Sequence, residues 1–382
     1  MASSPLPSPR TTFGFVPAGA PSAAPGSAAS DLEACRTQLA DGSRTFLAAS
    51  HLLPRSVRDP ATALYAFCRS ADDAVDLDER DELAAVERLR HRLDRIYAGD
   101  PAPVAADRAF ARVVAEHAMP RELPEALLDG FDWDARGRRY ESLEDLYAYA
   151  ARVAGTVGAM MTVLMGARST EALARACDLG VAMQLSNIAR DVGEDARRGR
   201  IYLPLRWLRE AGIDPDAWLA RPVYDPRIGA VVERLLYAAD QLYERAGAGI
   251  ALLPRGCRPG IQAARVLYAA IGHEVARRGG DSVTQRAVVP GSRKLRLLAG
   301  ALVSGAWARR GRGPALPPLD AVRWLVEAAV RQEPRKASAR SVAQARTTVP
   351  QLNAVTRVVW VIELCERQAA RRQGRRGQSI AH

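Results

Sequence analysis

Cysteine and histidine are scarce, five of each in 382 residues. Cys35, Cys68, Cys177, Cys257 and Cys365 are odd in number and form no CxxC pair, which argues against a disulfide framework or a zinc site and fits a reducing cytoplasm. His51, His91, His117, His273 and His382 lie scattered without ligand spacing, so neither a histidine metal centre nor a Ser/His/Asp triad has support. Lysine is nearly absent: Lys294 and Lys336 are the only two among 54 basic residues. The chain is still basic, with 43 Asp plus Glu against those 54 and a pI near 9.9. Aromatics, however, make up only 6% and do not interleave with the bases as a nucleic-acid stacking platform requires, so no nucleic acid is expected as a partner. Long apolar runs are missing as well. The uncharged stretch 153–167 has 15 residues, short of the ~20 that span a bilayer, and reads as a buried core helix. Its Gly and Ala positions serve either a chain lying against the backbone or close helix packing. No segment shows sustained strand alternation, and no glycine-rich dinucleotide fingerprint follows a strand, so no NADPH is expected.

What the chain does have is helical period over most of its length and 48% apolar residues, ample for a large core. The reading is all-α: helices over 31–40, from Ser43 to Leu53 where Pro54 stops it, from Pro60 to about Leu77, near 81–98, 104–118, 122–136 and 142–166, then a long acidic-faced helix. A short helix with Trp207, a proline-rich loop over 215–226, helices near 228–253 and 259–279, a break at Pro290 and a helix near 319–331 complete it. The organising stretch is 184–204, QLSNIARDVGEDARRGRIYLP. At about 100° per residue, Gln184, Asn187, Asp191, Glu194 and Asp195 fall within roughly 100° of arc, so one face carries amide and carboxylate oxygens. Upstream, YAFCRSADDAVD repeats the pattern: Tyr65, Arg69, Asp72, Asp73 and Asp76 share one arc of about 100°, with Leu64, Phe67, Ala71 and Val75 behind. One acidic stripe reads equally as a solvated face. Two facing stripes ring a cavity with hard oxygen donors, which suit Mg²⁺ bound through a few carboxylates and substrate phosphates. The turn at 42–45 offers donors at a helix start, as an anion site or an ordinary cap.

Five stretches, GSRTFLAAS, YAFCRSADDAVD, VAGTVG, MQLSNIARDVGEDARRGRIYLP and VLYAAIGHEVARRGGDSVTQRAVVP, occur in that order. By them the chain resembles the squalene/phytoene synthase family of head-to-head prenyl transferases, and within it the phytoene-forming branch. The resemblance implies a single-domain class I isoprenoid synthase bundle around a central cavity. It implies Mg²⁺, with Mn²⁺ as a substitute, held by Asp72, Asp73, Asp76, Asn187, Asp191 and Asp195. It implies substrate binding by Ser43, Arg44, Thr45, Tyr65, Arg69, Gln184, Arg190 and Arg286, and catalysis by Asp72, Asp76, Asp191, Asp195, Arg69 and Tyr268. Taken alone, Arg286 and Tyr268 also read as surface or packing residues. The implied reaction condenses two geranylgeranyl diphosphates to phytoene. Its rivals are dehydrosqualene or presqualene diphosphate synthesis from farnesyl diphosphate, a single-substrate terpene cyclase, and a non-catalytic assembly protein. One departure stands out: many relatives carry Tyr-Cys-Tyr before VAG, whereas this chain has Tyr149-Ala150-Ala151-Arg152, which implies a different pocket wall.

The organisation expected is a disordered leader over 1–30, a catalytic domain over 31–311, a helical C-terminal extension over 312–366 and a basic disordered tail over 367–382. Six prolines mark the leader, and Arg367, Arg371, Arg372, Arg375 and Arg376 mark the tail. A cytoplasmic enzyme held peripherally at an anionic membrane follows from that tail and from a lipidic substrate, with other carotenoid-pathway enzymes as further partners.

Overall fold

The computed structural model describes residues 26–42, 44–76, 81–306, 308 and 316–331. Ser43, the side chains of Arg44, Thr45 and Asp76, the leader up to residue 25 and everything after residue 331 lie outside the described residues. Among those described there is no strand, in agreement with the all-α expectation.

The helices run α1 (Ala28–Gly42), α2 (Arg44–Ser50), α3 (Arg55–Asp76), α4 (Glu82–Ala98), α5 (Ala105–His117), α6 (Glu122–Ala135) and α7 (Leu143–Ala150). A π-helical turn (Ala151–Gly155) joins α7 to α8 (Thr156–Leu164). Then come α9 (Thr170–Arg197), α10 (Leu205–Glu210), α11 (Pro215–Ala220), α12 (Pro226–Gly249), α13 (Arg258–Ala276), α14 (Gly291–Ala306) and α15 (Arg323–Arg331). Side-chain caps define many starts. Asp81 accepts from the Ala84 amide at 2.9 Å, Ser142 and Asp145 form a capping box, and Ser169 accepts from Ala172 to begin α9.

Several boundaries that differ from the sequence expectation share one cause: proline, expected to stop or loop the chain at Pro54, Pro215 and Pro290, here starts helices, because the first turn has no use for its missing N–H. Others differ without it: α1 runs on to Gly42, α2 ends at Ser50, and the helix expected over 142–166 is α7, a π-helical turn and α8. The Pro54 carbonyl accepts from Arg58 at 2.8 Å, so α3 begins at Arg55 rather than at Pro60. Pro215 and Pro226 follow the capping residues Asp214 and Asp225, so the expected loop over 215–226 contains α11 and the start of α12. Pro290 accepts from Lys294 at 3.0 Å at the head of α14, a helix the sequence reading lacked.

Helix α9 is the spine, 28 residues long or about 42 Å, and α8, α12, α13 and α15 all pack on it. Backbone meets backbone at two glycines: a Cβ on Gly180 would fall on the Ala154 carbonyl, and one on Gly158 on that of Ala176. Ala154 and Gly158 therefore serve both readings, meeting α9 backbone closely while also lining the cavity. Val322, Leu325, Val326 and Ala329, in and just before α15, belong to the same core cluster as α6, α8 and α9, so the described part of the segment set apart as an extension, residues 316–331, packs on the main core. Cys35, Cys68, Cys177 and Cys257 are unpaired thiols. Of the departing run 149–152, Tyr149 lines the cavity and Ala150 and Ala151 are buried. Arg152 points away from the cavity, stacking 4.1 Å from the Trp133 ring centre and 5.4 Å from that of Trp324.

Gly180→Ala should lower the unfolding free energy by about 1–3 kcal/mol, the cost of an overpacked contact. Gly300 in α14 faces open space, so Gly300→Ala should raise it by about 0.5–1 kcal/mol. Denaturant unfolding of both variants checks the pair.

Candidate active site

A cavity of about 600 Å³ runs through the bundle between α3, α6, α8, α9, α12 and α13. On α9 the lining positions are 172, 175, 176, 179, 180, 183, 184, 187 and 190, a stripe of helical period about 27 Å long. One end is charged and polar, with Tyr65, Arg69, Asp72, Gln184, Asn187 and Arg190, joined there by Tyr268 and Arg286. The interior is apolar, with Leu64, Val157, Met161, Leu179 and Met183 among its walls.

At the mouth each described motif carboxylate but Asp195 holds a guanidinium. Arg69 reaches Asp72 at 3.1 Å and Asp73 at 2.6 Å along α3. Asp191 is gripped from both sides: Arg190 Nε donates to it at 2.8 Å, and Arg286 donates through Nε at 2.7 Å and Nη2 at 3.2 Å. Arg286 arrives on a loop that the sequence positions through two local devices. Asp281 accepts from the amides of Val283 and Thr284 at 3.1 and 3.0 Å, tightening the turn. Gly193 has no Cβ to obstruct Val283, and its amide donates to the Ser282 carbonyl at 3.1 Å.

Eight predicted residues, Tyr65, Arg69, Asp72, Gln184, Asn187, Arg190, Tyr268 and Arg286, thus share one cavity wall. Asp73 and Asp191 stand beside them through Arg69, Arg190 and Arg286. Asp195 does not line this cavity; it borders a small void with Ile188, Arg200, Tyr202 and Trp218. Its carboxyl is pushed up to about 7, first by burial and then by Asp191 and Glu194. Among the described residues no three Asp, Glu, His or Cys side chains converge as a cation site. The donor chemistry nevertheless fits a hard cation, and Asn187 Oδ1 is buried without a hydrogen-bond partner. Tyr65 stacks on Phe46 with ring centres 5.2 Å apart, and burial raises its phenol to about 12, so it is a hydrogen-bond donor rather than a base at neutral pH.

Sequence reasoning missed two charged groups, Asp134 and Arg175. Asp134 lines the cavity and accepts from the hydroxyls of Tyr149 and Tyr202, each at 2.8 Å. Burial lifts its carboxyl to about 6 against those hydrogen bonds. Tyr149 lines the wall beside it, and Arg175 lines the wall far from the mouth. A signal existed for both charges, since Asp134 falls in step with Leu127 and Phe131, and Arg175 with Ala172 and Leu179, on otherwise apolar stripes.

The Squalene/phytoene synthase family model matches residues 39–293. The chain is 59% identical to the phytoene synthase of Rhodobacter capsulatus over 279 residues, 72% of this chain and 82% of that protein. It is 54% identical to the phytoene synthase of Cereibacter sphaeroides over 321 residues, 81% of this chain and 90% of the relative. Among solved structures, a dehydrosqualene synthase in complex with ligand superimposes with a TM-score of 0.67 at 30% identity, covering 72% of this chain and 96% of that one.

The raised carboxyl of Asp195 has a definite sign in stability. Its folded value, about 7, lies above the ordinary 3.8, so its contribution is present below about pH 4 and lost as pH rises through 7. Asp195→Asn should therefore unfold less readily than the native chain at pH 8 without divalent cation, by about 2–4 kcal/mol. The difference should vanish towards pH 4, as read by denaturant unfolding across pH.

Proposed function

Because this chain belongs to the squalene/phytoene synthase family, we propose that it joins two geranylgeranyl diphosphates head to head, through prephytoene diphosphate, to phytoene. It is a prenyltransferase of the phytoene synthase type. The observation that carries the reading is identity to two bacterial phytoene synthases across most of the chain. A cavity charged at its mouth and apolar inside suits a lipid with an ionisable head.

Asp72, Asp73, Asp76, Asn187, Asp191 and Asp195 are the residues that would hold Mg²⁺, or Mn²⁺ in its place. When bound, the cation offsets charge developing on the departing diphosphate. Arg69, Arg190 and Arg286 present fixed forks that bind phosphate oxygens, with Ser43, Arg44, Thr45, Tyr65 and Gln184 completing the cradle. Tyr65 and Tyr268 orient the diphosphate from the wall that links mouth and interior. Loss of diphosphate leaves an allylic cation, and the apolar side chains of Leu64, Val157, Met161 and Leu179 keep water from quenching it. The solved dehydrosqualene synthase gives the farnesyl-using alternative its specific support.

Asp76→Ala and Asp191→Ala should each lower turnover by about 10²–10³-fold or more, and excess chelator should stop the native enzyme. Labelled C15 and C20 diphosphates with products read by mass check this. Phytoene should form from the C20 donor without NADPH; a reduced C30 product requiring NADPH would move the assignment to squalene synthesis.

No helix among the described residues is long and apolar enough to cross a membrane. Peripheral attachment of a cytoplasmic enzyme through the arginines of 367–376, where lipidic substrate and product partition, completes the proposal, with carotenoid-pathway enzymes as neighbours. Arginines near an anionic surface contribute about 1 kcal/mol each before screening. The full chain should sediment with anionic vesicles at low salt, and a chain ending at Glu366 should not.

A further inference from the structure

We propose that Arg175 is the end wall of the polyprenyl tunnel and sets the longest chain the enzyme accepts, an inference that rests on the condensation proposed above. Along the lining stripe of α9, Arg190 stands at the charged mouth, and Arg175 lies 15 residues earlier, about 22 Å away, with Ala172 the one α9 lining residue beyond it. The α9 residues that line the cavity between them, Ala176, Leu179, Gly180, Met183, Gln184 and Asn187, carry no charge. Arg175 is 3% exposed and belongs to the cavity wall, among the apolar Met165, Ala172, Ile250 and Leu253.

Its surroundings hold it still. Nη2 donates to the Pro317 carbonyl at 3.0 Å, and Nε lies 3.1 Å from Asp178 Oδ2 as an ion pair without a hydrogen bond. Asp178 is fully buried and is also bound at 3.1 Å by Arg245 of α12, whose Nη2 reaches the same Pro317 carbonyl at 2.8 Å. Across the gap, α12 presents Gly249, where a Cβ would fall on Arg175 Cβ and Cγ, so α12 packs directly against the base of this side chain. Three elements, α9, α12 and the segment leading into α15, thus lock one side chain. The methionines along the tunnel, Met161, Met165 and Met183, yield to the shape of a bound chain. Arg175 does not, because moving it strips a buried carboxylate of one of its two partners.

The test uses the full chain with Mg²⁺ and labelled C15, C20 and C25 prenyl diphosphates in competition, products read by mass. Arg175→Ala removes the wall and should raise the C25-to-C20 ratio of kcat/KM by about tenfold or more, the scale on which a pocket discriminates by size. Ala176→Leu builds a barrier one residue nearer the mouth and should shift preference from C20 towards C15 by a similar factor. Melting curves and circular dichroism establish that each variant is folded. If Arg175→Ala fails to fold, Ala176→Leu decides alone. Folded variants that keep the native ratios overturn the assignment of the wall. A native enzyme inactive on the C20 donor would instead overturn the proposed condensation, and the shift in ratio would then be read between C15 and C20.

Discussion

The structure depends on how closely α8 and α9 approach. Gly158 and Gly180 place carbonyls of one helix against the Cα atoms of the other, where any side chain would collide. That contact sets α9 as a spine whose lining stripe forms one side of the cavity. Ala154, which meets Gly180, sits in the π-helical turn Ala151–Gly155. Such turns shift the helical register by one residue, and here Tyr149, Val153 and Ala154 face the cavity while Arg152 faces Trp133.

The second organising feature is the separation of charge along that spine. At the mouth, arginine and aspartate are matched, with Asp191 held between Arg190 and Arg286. These same arginines are the donors proposed for a diphosphate, so the protein keeps its phosphate-binding groups ordered by pairing them with its own carboxylates. The interior between is lined mostly by apolar side chains, three methionines among them, and Arg175 on its far wall pairs with Asp178, which also holds Arg245. Charge thus appears where a diphosphate ionises and at Arg175, with Asp134, bound by the hydroxyls of Tyr149 and Tyr202, a further carboxylate on the cavity wall.

Much of this was legible before the fold. Period alone identified nearly every helix, and the arcs of 65–76 and 184–195 put the residues of the mouth on two faces. Part of what was misjudged follows from the two roles of proline: the rule that Pro ends a helix hid α14, because at Pro290 the chain enters a helix rather than leaving one. Asp134 and Arg175 went unnoticed because a charge on an apolar stripe looks like an interruption until its partners are seen. Those partners, Tyr202 for one and Pro317 for the other, lie 68 and 142 residues away along the chain.

The sequence by itself determined the all-α class, the two oxygen-rich faces and the family to which they belong, because these are local: helical period and motif spacing are read within a few turns. Only the tertiary structure decided that Asp195 turns towards a separate void, that Arg152 leaves the pocket wall, that residues 319–331 join the core, and that Arg175 joins the cavity wall. Each of those outcomes is set by which distant backbone comes within contact distance, and no periodicity along a single segment encodes that.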